Sequence, residues 1–217
     1  MTENQLNTFH FQFITHQTDK YDYLQSAQMA LQGGCKWIQL RMKNALLEEV
    51  EHVAWQVKKL CEDYQAVFLI DDHVELCKKL DADGVHLGKE DMSPRQARAI
   101  LGEKFILGST CNSFEDIVFQ SNLPIDYIGL GPFRFTETKK KLAPVLGLEG
   151  YANTIDNYRK TEIDIPIVAI GGITKEDILP ILQTGIQGVA LSGAILQADN
   201  PIEETKKIVE ELKRYDG

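Results

Sequence analysis

Short apolar runs recur along the chain, and each is followed by a segment whose apolar positions fall three or four apart. The runs are FQFIT (11–15), WIQLR (37–41), VFLID (67–71), GVHLG (84–88), FILGS (105–109), YIGLG (127–131), PIVAIG (166–171) and GVALSG (188–193). Brief runs rich in β-branched residues predict buried strands. Between them, LLEEVEHVAWQVKKLCEDY (46–64) repeats Leu46, Val50, Val53, Val57 and Leu60 as one stripe, which predicts an amphipathic helix. Ser93-Pro94 places proline at a first helical position, and Ser113 with Asp116 has the spacing of a capping box. A final helix from Pro201 to about Arg214 carries Glu–Lys pairs suited to a solvated face.

Strands alternating with helices imply a parallel sheet, and eight such units imply a closed (β/α)8 TIM barrel. The expected organisation is a single α/β domain over residues 1–217, with residues 1–10 as an N-terminal extension. A doubly wound open sheet fits the alternation as well, but the count of eight favours the barrel. Barrel chemistry belongs where strands end and their following loops begin. In chain order those ends offer Thr15-His16, Gln39/Arg41/Lys43, Asp71-Asp72, Asp91, Thr110, the 131–139 loop, Gly171-Gly172 and Ser192-Gly193. Polar groups and glycines thus collect on one rim.

Composition narrows the ligand class. The chain has 217 residues, 43% hydrophobic and 25% charged, with a formal net charge of -9. That balance argues against a general nucleic-acid or membrane-surface binder, so an anionic substrate must be held by a local basic cluster. Cys35, Cys61, Cys77 and Cys111 are scattered without a CxxC pair, as expected of reduced thiols. The polar start MTENQLNTFHFQFITH is not read as a signal peptide, and no apolar run approaches the ~20 residues of a spanning helix. A cytoplasmic protein is expected. His16 and His86 sit near strand ends but are read as packing or hydrogen-bonding groups, and Trp37 and Trp55 as core.

Three constellations carry chemistry. Strand alternation through QLRMK (39–43) puts Gln39, Arg41 and Lys43 on one side, an amide, a guanidinium and an ammonium suited to a diphosphate. A solvated strand end is the plainer alternative. Asp71, Asp72 and Asp91 follow adjacent strands and suit Mg²⁺, which is bound by one or two carboxylates together with substrate phosphates. Taken alone, Asp72 could instead cap a helix starting near Val74, and Asp91 could be a solvated loop acid. AIGGIT (169–174) and LSGAI (191–195) place glycines at consecutive strand ends, the usual position of a barrel phosphate site, though paired glycines also serve ordinary turns.

Together QLRMK (39–43), LIDDHVELCKKLDADGVHLGKEDM (69–92), GPFRFTETKK (131–140), IPIVAIGGI (165–173) and GVALSGAI (188–195) resemble the thiamine-phosphate synthase family. The resemblance implies a TIM barrel and a transferase that couples 4-amino-2-methyl-5-hydroxymethylpyrimidine diphosphate to a thiazole phosphate. It implies that Gln39, Arg41 and Lys43 grip the diphosphate substrate, Asp72 and Asp91 ligate Mg²⁺, and Lys139 holds departing pyrophosphate. Thr136 and Thr138, with the amides around Gly172, Ser192 and Gly193, would bind the thiazole phosphate. Asp71 stands where the family has Asn, so it either draws the metal closer or accepts a hydrogen bond from the aminopyrimidine. Thr110 replaces a serine and keeps the hydroxyl, Arg134 and Phe135 alter the sixth loop, and Gly193 replaces a serine.

The implied partners are two small molecules, with no nucleic acid or membrane, and a homo-oligomer stays open because the sequence does not reveal the oligomeric state. A thiazole tautomerase of the same superfamily would need neither the metal carboxylates nor the diphosphate clamp. A non-catalytic barrel binding a phosphorylated ligand would keep affinity without turnover.

Overall fold

The computed structural model describes residues 10–135 and 144–215. Eight parallel strands close into a barrel in chain order. They are β1 Phe11–Ile14, β2 Trp37–Leu40, β3 Val67–Asp71, β4 Gly84–Leu87, β5 Ile106–Cys111, β6 Tyr127–Leu130, β7 Ile167–Ile170 and β8 Gly188–Leu191. Closure is made by β8 on β1, with Phe11 opposite Val189 and Phe13 opposite Leu191. The helices that follow the strands are α1 Tyr23–Gln32, α2 Leu47–Asp63, α3 Val74–Leu80, α4 Pro94–Leu101, α5 Phe114–Gln120, α6 Gly147–Tyr158, α7 Ile178–Gln183 and α8 Gly193–Leu196. A 3₁₀ turn, Lys175–Asp177, precedes α7, and α9, Pro201–Tyr215, closes the ring. No helix among the described residues is long and apolar enough to cross a membrane.

Most strands are a residue or two shorter than the apolar runs that predict them, because the ladder ends where the chain turns outward. The fifth instead starts later and runs on to Cys111, which brings Thr110 into the strand. Helix α2 starts after Leu46, which is 71% exposed, and buries Val50, Ala54, Val57 and Cys61. Trp55 is not core. It lies one position past Ala54, off that stripe, and is 57% exposed.

Caps follow the sequence with one shift. Ser93 accepts from the Gln96 amide with Pro94 in the first turn of α4. Ser113 accepts from the Asp116 amide at 3.2 Å, but the Asp116 carboxylate takes the amide of Asn112, not that of Ser113. On α9 the pairs Lys206–Glu203 and Lys207–Glu204 lie along the solvated face, as its sequence predicts.

Alternate strand residues point to opposite sides of the wall. Phe13, Ile38, Leu40, Phe68, Ile70, Val85, Leu107, Ile128 and Val189 join the helices in the outer core. Ile14, Trp37, Leu69, Ile106, Tyr127, Val168 and Ala190 form a separate inner cluster. Trp37 and Tyr127, both 0% exposed, meet edge to face at 4.9 Å. Gly108 makes room for them, since a Cβ there would fall 2.2 Å from Tyr127 Cζ. The four cysteines are buried and free, and burial pushes each thiol well above its ordinary pKa. None is poised as a nucleophile.

Candidate active site

The ends of β2, β3 and β4 bring the basic and acidic groups together. Strand alternation accounts only for Gln39, because β2 stops at Leu40 and leaves Arg41 and Lys43 in the following loop. What unites the three is Asp71, the last residue of β3. Gln39 Nε2 donates to Asp71 Oδ1 at 2.7 Å, while Arg41 Nε and Lys43 Nζ each lie 3.5 Å from Asp71 Oδ2. The Arg41 amide is tied to β1 through Thr15 Oγ1 at 3.0 Å. Gln39 is 2% exposed and Asp71 7%, so the clamp is rooted inside the barrel mouth.

Asp72 adopts a left-handed backbone with φ 65°, and its amide donates to the His86 carbonyl at 2.9 Å. That turn aims its carboxylate at Lys43 Nζ, its ion-pair partner. It does not cap α3, whose N-cap is His73. Asp91 reaches the same place from the loop after β4, where its Oδ2 accepts from the Gly88 amide at 2.6 Å and its carboxyl faces that of Asp72. Burial, then Asp72, pushes the Asp91 carboxyl above its ordinary pKa. Burial likewise raises Asp71 against the pull of Lys43 and Arg41. Burial opposes the charge on Lys43, yet Asp71 and Asp72 hold its pKa above the usual value. Among the described residues no three His, Cys, Asp or Glu side chains form a metal cage. Asp72 and Asp91 thus bring two carboxylates together at the ends of adjacent strands.

Deeper in the barrel, a polar chain crosses the apolar interior. Gln12 Nε2 donates to Tyr127 Oη at 3.3 Å, Tyr127 Oη lies 2.8 Å from His86 Nδ1, and His86 Nε2 lies 3.0 Å from Thr110 Oγ1. All four side chains are buried. His86 thus serves in hydrogen bonding, as its sequence position suggested, while Gln12 and Tyr127 were not singled out. Their signal was present, since both occupy inward positions of strands that are otherwise apolar.

The glycine-bearing loops after β7 and β8 lie across the mouth from β3 and β4. Gly171 and Gly172 have φ of 98° and 71°, and a Cβ on Gly172 would come within 2.9 Å of Arg134 Cβ. Glycine is required there by conformation and by contact. The Arg134 amide donates to the Gly171 carbonyl at 2.8 Å and its Nη1 to the Gly172 carbonyl at 2.5 Å. The guanidinium also pairs bidentately with Asp177 at 2.8 and 3.0 Å. Burial opposes the Asp177 charge, but Arg134 and Thr174 hold its carboxyl below the ordinary range. Asp177 escaped sequence reasoning, because its value lies in a partner that is distant along the chain. Ser192 precedes α8, and a Cβ on Gly193 would meet only Gln197 Nε2, at 3.7 Å. Thr136, Thr138 and Lys139 lie outside the described residues.

The chain resembles known proteins across the whole barrel. The family model described as thiamine monophosphate synthase matches residues 11–195. A thiamine-phosphate synthase of Bacteroides thetaiotaomicron is 62% identical over 91% of this chain and 95% of its own length. One from Pyrococcus furiosus is 37% identical over 87% of this chain and 89% of its own. The solved thiamine phosphate pyrophosphorylase of Pyrococcus furiosus superposes with a TM-score of 0.87 at 32% identity, covering 99% of this chain and 100% of that one. With matched sequence spanning the barrel and its mouth, the chain belongs to the thiamine monophosphate synthase family.

Proposed function

We propose that this chain is a thiamine-phosphate synthase acting on 4-amino-2-methyl-5-hydroxymethylpyrimidine diphosphate and a thiazole phosphate, with thiamine phosphate and pyrophosphate as products. The identity to named synthases supports the activity. The observation that carries the site is the meeting of Gln39, Arg41 and Lys43 with Asp71, Asp72 and Asp91 at adjacent strand ends. A thiazole tautomerase has no use for that combined clamp and acid pair.

Mg²⁺ fits this donor set. Asp72 and Asp91 hold two carboxylates face to face, and burial plus mutual repulsion raises Asp91, so the pair favours a shared cation. Two carboxylates without a third protein ligand suit an ion whose remaining positions go to water and substrate phosphates. When bound, Mg²⁺ would add positive charge beside the diphosphate.

The protein's own groups then act by position and charge. Arg41 and Lys43 take the pyrophosphate oxygens as charge develops there, with Lys139 as a further cation by family resemblance. The methylene C–O bond breaks with its electron pair passing to pyrophosphate. The thiazole nitrogen supplies its lone pair to form the new C–N bond, so no protein nucleophile and no proton transfer are needed. Thr136, Thr138 and the amides near Gly172, Ser192 and Gly193 hold the thiazole phosphate in reach, and this positioning lowers the entropic barrier. Thr110, anchored by His86, offers a hydroxyl to the pyrimidine diphosphate.

Mixing the protein with both substrates and Mg²⁺ should yield thiamine phosphate and pyrophosphate, with each substrate and the metal required. Saturable binding of the thiazole phosphate without product would instead favour the non-catalytic barrel.

A further inference from the structure

The buried chain from Gln12 to Thr110 has a direction, and Gln12 sets it. A hydroxyl both donates and accepts, and a neutral imidazole donates from one nitrogen while accepting at the other. Two polarities therefore satisfy the contacts among Tyr127, His86 and Thr110. In one, the protons point from Tyr127 toward the mouth; in the other, they point back from Thr110 into the barrel. Gln12 breaks the tie, because its Nε2 can only donate and does so to Tyr127 Oη at 3.3 Å. The Tyr127 proton is thereby turned toward His86 Nδ1, 2.8 Å away. His86 then carries its proton on Nε2 and donates to Thr110 Oγ1 at 3.0 Å. Burial of all four side chains keeps bulk water from rewriting this order. The imidazole is also confined, since a Cβ on Gly129 would come within 3.0 Å of His86 Cε1.

We propose that Gln12 is a positioning residue that fixes the polarity of this chain, so that Thr110 donates a hydrogen bond to an acceptor atom of the pyrimidine diphosphate. The inference rests on the proposed synthase activity and adds the residue that orients the Thr110 proton, acting through Tyr127 and His86. A donor at Thr110 suits the acceptors that this substrate carries, its diphosphate oxygens and its ring nitrogens. With the polarity reversed, Thr110 would turn lone pairs toward those same atoms and repel them. The distance from Gln12 to the mouth is bridged without any moving part, because each link passes on only the orientation of one proton.

The test reads the His86 tautomer by ¹⁵N NMR on histidine-labelled wild-type protein, with its signals assigned by their loss in His86→Gln. The proton should sit on Nε2, and Nδ1 should show the shift of an unprotonated nitrogen. A proton on Nδ1 in the wild type overturns the proposal. Gln12→Met, close in size but without a donor, should lose the single tautomer and give both forms. Tyr127→Phe cuts the link between Gln12 and His86 and should do the same, which keeps the test decisive if the methionine variant does not fold. An unchanged tautomer in a folded variant overturns the role of Gln12. Equilibrium binding of the pyrimidine diphosphate, without thiazole phosphate so that no product forms, should weaken about three- to tenfold in Gln12→Met, as for one hydrogen bond. Undiminished affinity overturns the tie to the substrate. Inorganic pyrophosphate measured in parallel supports the proposal in either case, placing the acceptor on the diphosphate if it weakens equally and on the ring if it does not. The tautomer is read without turnover, so failure of the synthase activity and failure of this inference are distinguishable.

Discussion

At the scale of single residues, Asp72 and Asp91 show how a site concentrates charge that the rest of the chain would repel. With a formal net charge of -9, a diphosphate is admitted only where cations are local. On the proposed Mg²⁺ role, removing either carboxylate should weaken the metal more than the fold, since both side chains sit at the rim. Asp72→Ala and Asp91→Ala should each lower turnover at least ~10-fold at limiting Mg²⁺, about 1.4 kcal/mol in the barrier. Excess Mg²⁺ should restore part of the loss, and a Mg²⁺ titration of the rate checks this. That these two acids come together was legible in the sequence, because Asp72 directly follows one apolar run and Asp91 follows the next through a short loop. The grip of Asp71 on Gln39, Arg41 and Lys43 was not, because it joins a β2 side chain and two from the following loop to the end of β3. Residue type alone also misled, as at Trp55, where a large apolar side chain falls outside the buried stripe of α2.

At the scale of elements, the question is how separate βα loops act as one surface. Arg134 after β6 reaches both the Gly172 carbonyl and the Asp177 carboxylate beyond β7, so two loops share one guanidinium. Arg134→Ala should raise the KM for thiazole phosphate severalfold while changing that for pyrimidine diphosphate little. Because the arginine side chain is 50% exposed, the pair's coupling is screened, and a double-mutant cycle with Asp177→Asn should give about 0.5–1 kcal/mol. Gly193 makes the opposite case. A Cβ there meets nothing nearer than 3.7 Å, so Gly193→Ser should fold normally and add a hydroxyl beside Ser192. Its KM for thiazole phosphate should fall a few-fold, on the order of 1 kcal/mol or less for one neutral hydrogen bond. Steady-state kinetics with each substrate varied in turn checks both changes.

At the scale of the whole molecule, the eight strands were legible because each parallel strand is buried on both faces and reads as an apolar run. Closure of β8 onto β1 follows from the count of units rather than from either strand. What the pattern did not reveal is the polar chain through the middle, from Gln12 to Tyr127, His86 and Thr110, and the glycine that gives it space. A methyl group on Gly108 would collide with the Tyr127 ring, which also packs edge to face on Trp37. Both rings are fully buried, so the overpacking should cost about 1–3 kcal/mol in Gly108→Ala. Displacing Tyr127 should also release His86 and turn the Thr110 hydroxyl away from the mouth. Gly108→Ala should therefore lose urea stability and turnover together. Tyr127→Phe keeps the ring but removes the hydroxyl, so it should lose turnover with a smaller change in stability. Urea unfolding and single-turnover rates on both variants separate the two effects. Equal turnover in Tyr127→Phe and wild type would show that the barrel interior supports the fold alone and does not set the hydroxyl at its mouth.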